Sequence, residues 1–507
     1  MASSLTKDSP SAPAGPEKTF FGHPRGLATL FMTEMWERFS FYGMRALLTI
    51  YLISGGPDAS KGLQGGGLGM DLATTTAIYS IYLSMVYLLA MPGGWLGDRV
   101  WGPRKTVTIG AGTIMAGHLT LAVPGTGSFF AGLALVALGS GLLKANISTM
   151  VGHLYDGPND PRRDGGFTIF YMGINIGAFF APLIIGTVGE TYNWHLGFAL
   201  AAVGMGIGLI CFLAGTKNLN PESSRVPTPL DREERNSWLR KGITWLVVAI
   251  VFYAIVVLSG HFTLNWAMVP LTLAGLVIPA GVLIRIKRDK ELSASEQTKM
   301  SGYIWFFVAA AAFWMIYDQG GSTVQAFGTT KAAGEVFGLG FPSSWYQSLN
   351  PVFIMALAPV AAWLWLWLNR RGQEPSTVVK FAAGLVLVGV SFFFFLIPLA
   401  MSAGGTLVSP MWLVGIYLLQ TIGELCVSPV GLSVTTKMAP VKYASQMMGV
   451  WFLAVTAGDS ITGLLSIGGV DLSGTGAVAV EAVLATLAGF AVFMYRRKVS
   501  ALMGDIR

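Results

Sequence analysis

TLFMTEMWERFSFYGMRALLTIYL, residues 29–52, is an apolar helical stretch that carries Glu34, Glu37, Arg38 and Arg45 within it. A charged side chain at the centre of a bilayer helix costs roughly 2.5–3.5 kcal/mol on insertion scales. Four in one stretch therefore require partners and a purpose. Counted from Glu34 they fall at i, i+3, i+4 and i+11, which places them on one helical stripe able to face a wet cavity instead of lipid. An intramembrane array of carboxylates and cations reads as a proton, ion or substrate pathway.

The rest of the chain agrees that the surroundings are hydrocarbon. It has 507 residues, 53% hydrophobic and only 12% charged, with mean hydropathy +0.59. Soluble domains carry about 25% charged residues. Sixty-four glycines and fifteen tryptophans suit packed membrane helices and interfacial anchors. A transmembrane barrel would alternate polar and apolar residues in segments of about ten, and the apolar segments here are far longer. The reading is an all-α membrane protein. The net charge of +7 does not indicate nucleic acid, because the cations lie in short loops between apolar spans. Cys211 and Cys426 both fall inside expected spans, so neither a disulfide nor a metal site is expected. The five histidines have no metal spacing. Residues 1–20 are polar, and no removable signal peptide is expected.

Spans of about 20 apolar residues are expected near 27–53, 73–97, 104–124, 128–151, 167–189, 195–214, 238–258, 263–285, 300–320, 346–368, 378–401, 410–436, 444–466 and 475–495. That is fourteen, which puts both termini on one side. Of 33 Lys and Arg, 28 fall in the termini and the loops on that side, from Lys7, Lys18 and Arg25 through to Arg507; the opposite loops hold Lys61 and Lys331. By the positive-inside rule both termini are cytoplasmic. The charged, proline-containing linker that follows span six marks a domain boundary. The expected organisation is a disordered N-terminus (1–21), a six-helix bundle (22–215), a linker (216–237), an inserted two-helix hairpin (238–290) and a second six-helix bundle (298–500). A site between two bundles at the midplane is the usual plan of secondary transporters.

Five constellations carry possible chemistry. Lys144, in GLLKANIS of span 4, needs an acidic partner and is expected to join the span 1 stripe, where a proton can switch a carboxylate between paired and neutral states. Asp318 in FWMIYDQGG and Glu424 in LQTIGELCVSPVGLS are lone acids of the C-terminal bundle facing bases of the N-terminal one. Such pairs can form and break as bundles close and open. Tyr42, Tyr79, Tyr82, Tyr87, Asn175, Trp314, Asn350 and Trp451 offer single hydrogen-bonding tips or amides suited to peptide-like groups; taken singly, such a residue is more often a helix–helix contact or an interface anchor than a ligand contact. The loop GGWLGDRVWGPRKT (93–106) reads as a structural latch, since no strand precedes it to make a phosphate cradle.

These residues resemble a known family. Gly94, Asp98, Arg99, Gly102, Arg104 and Lys105 are similar to the loop 2–3 signature of the major facilitator superfamily. EMWERFSFYGMR (34–45) resembles the E-x-x-E-R-F signature of the proton-dependent oligopeptide transporter family, and FYMGINIGAF (170–179) its helix 5 signature. FWMIYDQ, QSLNPVFIMALAP, GELCVSPVGLS and GVWFL follow in the family's order, and the inserted hairpin resembles the bacterial members. The resemblance spans essentially the whole chain. It implies the major facilitator fold, with Glu34, Glu37, Arg38 and Lys144 in proton coupling. It implies gating pairs Arg45–Asp318 and Lys144–Glu424, and places Glu424 and Asn350 at the peptide's amino terminus and Lys144 at its carboxylate. Substrate contacts are implied for Arg38, Tyr42, Tyr87, Asn175, Trp314, Ser428, Trp451 and Phe452. Two positions depart from the pattern: Phe41 replaces a tyrosine, and Asp318 stands where many bacterial members have glutamate.

The implied activity is inward symport of di- and tripeptides with protons across a bacterial inner membrane, by a monomer that needs no cofactor and is not an enzyme. The same scaffold moving nitrate or a peptide-like drug stays open. A membrane enzyme would need a nucleophile–base or metal constellation, and none is apparent. A sensor that binds peptide without transport remains a further alternative.

Overall fold

The computed structural model describes residues 19–57, 65–156 and 160–504. The N-terminal segment expected to be disordered lies outside these residues up to position 18, as do Lys7, Lys18, Lys61 and Arg507. The first helices are α1 (Gly26–Ile53), α2 (Leu72–Leu88), α3 (Ala90–Leu96), α4 (Pro103–Leu121), α5 (Thr126–Gly152), α6 (Arg163–Ala181), α7 (Thr187–Thr191) and α8 (Trp194–Gly215). Two helices follow, α9 (Arg232–Leu258) and α10 (Asn265–Lys287). The last group is α11 (Ala294–Tyr317), α12 (Thr323–Lys331), α13 (Leu349–Arg370), α14 (Thr377–Ser402), α15 (Met411–Met438), α16 (Ala444–Ile467), α17 (Thr475–Met494) and α18 (Arg496–Met503).

Side-chain caps set several of these starts. Asp71 accepts from the Thr74 amide, Asn193 from Leu196 and Asp231 from Glu234, while Ser293 and Glu296 form a reciprocal capping box. Three of the crossings are interrupted. A π-helical turn, Gly97–Trp101, follows α3; another, Pro182–Gly186, joins α6 to α7; and a tight turn, Asp318–Gly321, joins α11 to α12. Asp318 therefore sits at a helix break, and helical chain continues past it to Lys331.

Among the described residues, twelve helices are long and apolar enough to cross a membrane. Fourteen spans were expected, and α1 and α4 are the two outside that set. Every 18-residue window of α1 holds at least three of Glu34, Glu37, Arg38 and Arg45, and α4 mixes Arg104, Lys105 and His118 with four threonines. The helix expected to begin at 238 starts at Arg232, inside the expected linker, and α11 starts at Ala294.

The buried apolar side chains gather in two clusters. One joins α1, α2, α4, α5, α6 and α8 through residues such as Leu47, Ile114, Ile147 and Phe198. The other joins α11 and α14 to α18 through Phe306, Phe381, Phe392 and Trp451. Small residues let backbones approach within each: a Cβ at Gly110 of α4 would meet the Gly139 carbonyl of α5, and the reverse also holds.

The two helices between the clusters behave differently. Only Val256 of α9 is buried. In α10, Met268, Thr272, Gly275, Pro279, Leu283 and Ile286 are buried, one stripe at helical spacing. That stripe lies over the line where α2 meets α16: a Cβ at Gly275 would run into the hydroxyls of Ser84 and Ser460, which bond each other at 2.8 Å. The connecting segments are tied down at the end of the molecule where α1 begins and α17 ends. Arg99 meets Glu234 at 2.9 Å, and the amides of Thr228 and Leu230 donate to the Asp98 and Arg99 carbonyls, so the 93–106 loop fastens the linker. Lys442 and Tyr443, bonded to Asp289 at 2.7 and 2.6 Å, hold its carboxyl well below the usual carboxylate range and secure the segment between α10 and α11.

Candidate functional site

The α1 stripe is buried as a charged unit. Glu34, Glu37 and Arg38 are 2%, 0% and 5% exposed. Arg38 Nε donates to Glu34 Oε1 at 2.7 Å and lies 2.9 Å from Glu37 Oε2. One oxygen of Glu34 and both of Glu37 have no hydrogen bond, so two carboxylates share one cation with acceptor capacity to spare. The Arg38 guanidinium stands 5.8 Å from the Phe41 ring, which stacks on Tyr82 at 6.2 Å. Phe41 thus keeps an aromatic wall beside the stripe while supplying no hydroxyl.

Lys144 reaches the line between the clusters. Its Nζ is 3.6 Å from the ring centre of Tyr87 on α2 and 5.1 Å from that of Phe452 on α16, and the two rings stack at 5.9 Å. Among the described residues Lys144 enters no salt bridge. The acidic partner expected for it is absent in this conformation, and the Lys144–Glu424 pair is not made. A desolvated ammonium over aromatic faces recovers about 2 kcal/mol or more, which explains how it rests without a carboxylate. Glu424, on α15, is occupied elsewhere: it accepts from the Tyr317 hydroxyl at 2.5 Å and from Asn350 Nδ2 at 2.9 Å. Asn350 also donates to Thr421 at 3.1 Å.

Arg45 and Asp318 do meet. Arg45 Nη2 lies 3.3 Å from Asp318 Oδ1, and Arg45 Nε donates to the Tyr79 hydroxyl. The contact belongs to a closed face at the end where α1 finishes and α2 begins. There Thr49 donates to the Gly321 carbonyl at 2.6 Å, Ser348 to the Phe179 carbonyl at 2.8 Å and Trp345 to Thr187 at 2.8 Å. Glu190 accepts from the amides of Ser343 and Ser344, at 2.9 and 2.8 Å, and from the Ser343 hydroxyl. Deeper in, Ser84 bonds Ser460 and the Thr456 carbonyl. Nearer the other end the two clusters meet through the stacked rings of Tyr87 and Phe452, and among the described residues no hydrogen bond joins them there.

The remaining sequence-derived positions divide. Asn175 donates to the Tyr171 carbonyl one turn back, Tyr42 lies beside Arg45, with the guanidinium 5.7 Å from its ring centre, and Trp314 packs edge-on against Tyr317. The Trp314 Nε1 and Ser428 Oγ are buried without partners. Trp451 is 3% exposed, packed against Phe381 and over Gly431 in the C-terminal core, so it backs the site instead of lining it. Sequence reasoning missed Tyr317, Glu190, Asp459 and Glu481. The two acids in α16 and α17 lie inside expected spans, and the rule that singled out Glu424 applies equally to them. Glu481 accepts from Gln319 Nε2 at 2.8 Å. Tyr317 and Glu190 become visible only once partners are known.

Comparison with known proteins places this arrangement. The sequence profile of the POT family matches residues 104–468. The chain belongs to the POT family. It is 46% identical over 448 residues to a Bacillus subtilis (strain 168) transporter, YclF, covering 88% of each chain. It is 41% identical over 499 residues to a di-/tripeptide transporter of Lactococcus lactis subsp. cremoris, covering 97% of this chain and 99% of that one. Among solved structures, a mutant of a peptide transporter, POT, in complex with alafosfalin superposes with a TM-score of 0.87 at 42% identity, covering 97% of this chain and 98% of the other. The family relationship accounts for the all-helical membrane fold.

Proposed function

We propose that this chain is a proton-coupled symporter that imports di- and tripeptides through alternating access of its two bundles, with protons as the coupling ion and no other cofactor. The observation that carries the reading is the distribution of charge across the line between bundles. Arg38 and Lys144 stand on the N-terminal side and Glu424 on the C-terminal side. A zwitterion entering a low-dielectric cleft needs a cation at one end and an anion at the other. Lys144, resting on aromatic rings, and Glu424, held by two neutral donors, are groups a ligand can recruit without first breaking an ion pair. The Arg38 cluster is the coupling element, because its unbonded carboxylate oxygens can take a proton where no second cation stands within bonding distance.

The loop cations put both termini in the cytoplasm, in the inner membrane of a bacterium, so the sealed end faces outward and the conformation opens inward. The protein works as a monomer surrounded by lipid. Uptake of labelled dialanine into proteoliposomes tests the reading: accumulation above the external concentration with an inward proton gradient, and equilibration without it, is expected. Equal uptake in the two conditions would exclude coupling. Competition by nitrate but not by unlabelled dialanine would redirect the substrate.

A further inference from the structure

One buried carboxylate at the sealed end has no role in the site so far described. Asp459, on α16, is 1% exposed, and its Oδ2 has no hydrogen-bond partner. Its direction follows from its neighbours on the helix. A Cβ at Gly458 would touch the backbone of Ala311 and Met315, and Thr462 donates to the Met315 carbonyl at 3.0 Å, so that face lies against α11. Thr456 and Ser460 lie against Ser84 of α2. At 100° per residue Asp459 falls between the two faces, aimed into the angle between α11 and α2.

That angle holds the outer pair. Asp318 follows Met315 by one turn, Tyr79 is on α2, and Arg45 bridges both. The charged groups of that angle are the Asp318 carboxylate, of the same sign as Asp459, and the Arg45 guanidinium, of opposite sign. From α10, on the far flank, the group facing this part of the helix is Thr272, which does not titrate. The count is two carboxylates and one cation in a buried space. Arg45 is committed to Asp318 at 3.3 Å. An isolated ionised carboxylate out of water is strongly disfavoured and takes a proton instead.

We propose that Asp459 is a second proton carrier of the transport cycle, loaded from external water while Arg45 and Asp318 are apart and enclosed when they close. On loading, an O–H bond forms on the Asp459 carboxylate with a proton from external water. On discharge that bond breaks and the proton passes to water of the inward-open cavity, leaving the Asp459 carboxylate to be reloaded when Arg45 and Asp318 next part. Phe452, beside Lys144, lies seven residues toward that cavity, about 10 Å along the helix, so the carrier stands between the outer pair and the ligand site. Both carriers then move with one peptide.

This rests on the symport reading above, and the experiment separates the two. Wild type, Asp459→Asn and Asp459→Glu are reconstituted in the same lipid, and the limiting accumulation of dialanine is measured under imposed pH gradients without membrane potential. Each coupled proton contributes about a tenfold ratio per pH unit. Asp459→Asn is expected to keep peptide counterflow and to lose about tenfold in accumulation per unit of gradient, while Asp459→Glu retains the wild-type ratio. Wild-type accumulation matched by Asp459→Asn overturns the second carrier and leaves the symport reading standing. Failure of wild type to accumulate overturns both. If Asp459→Asn does not exchange peptide, Asp459→Ser takes its place under the same criterion. Infrared difference spectra provide a readout independent of transport: the wild type should show a protonated-carboxyl stretching band that is missing from the neutral variant, and an unchanged band assigns the proton elsewhere.

Discussion

Exchanging the charges of Arg45 and Asp318 tests whether the sealed end is a gate. At 3.3 Å and an effective dielectric constant near 20, the two charges attract by about 5 kcal/mol. Their side chains are only 15% and 9% exposed, so much of that attraction offsets the cost of removing both from water. Double-mutant cycles on close charge pairs give couplings from about 1.5 kcal/mol upward, and about 2–3 kcal/mol is expected here. Arg45→Asp places a carboxylate opposite Asp318 with Asp459 nearby, and Asp318→Arg sets two guanidiniums together; either should reduce proton-driven dialanine uptake severely. The double exchange restores opposite signs. It also leaves the Tyr79 hydroxyl free to donate to the new carboxylate at position 45 and brings the new cation toward Asp459. The double variant should therefore transport about 30- to 150-fold faster than the product of the single losses predicts, as initial rates in proteoliposomes at matched protein density. A coupling below about 0.5 kcal/mol, the level at which independent sites add, would show that the pair does not work as a gate.

Three further outcomes follow from the same contacts. Glu37→Gln, imitating a permanently neutral acid beside Arg38, should abolish accumulation against a gradient while peptide counterflow continues; normal accumulation would remove Glu37 from the coupling element. Glu424→Ala should weaken binding of free dipeptides by at least tenfold more than that of N-acetylated ones, measured by competition against labelled dialanine, and equal losses would show that Glu424 does not meet the amino group. Glu190→Ala removes three hydrogen bonds, two of them from backbone amides of Ser343 and Ser344, a loss of about 1–3 kcal/mol for a half-buried charged acceptor. It should shift the population toward the outward-open state, raising the alkylation rate of a cysteine introduced beside Tyr79, and an unchanged rate would confine Glu190 to local packing.

The helices and the charged stripe were legible in the sequence because both follow from one incompatibility, that of ions with hydrocarbon. Long apolar runs mark spans, and Glu34, Glu37, Arg38, Arg45, Lys144, Asp318 and Glu424 stand out within them. Which ions pair is a different matter. Lys144 was expected beside an acid and rests on Tyr87 and Phe452 instead, because aromatic faces substitute for a carboxylate and carry no charge signal of their own. Glu424 stays with Tyr317 and Asn350, a choice fixed by the packing of α11, α13 and α15 and invisible in spacing. Trp451 matched a pocket position, yet its ring fills the space above Gly431, a contact between residues twenty apart that only the fold brings together. Glu190 shows the same limit: its partners lie more than 150 residues away. Asp459 and Glu481 are legible by the rule that marks Glu424, since each is an acid within an apolar run.

The hairpin between the bundles looks dispensable if only α9 is considered, since that helix buries a single residue. Its companion α10 is a roof. It covers a pair of hydroxyls, Ser84 and Ser460, at the line where α2 meets α16. Stripped of α10, that pair would open directly onto acyl chains, and each hydroxyl would have to keep its bond or stand unsatisfied in oil. A form shortened by this hairpin would thus have its halves glued along their own joint, with motion slowed for want of a cover and not for want of a binding site.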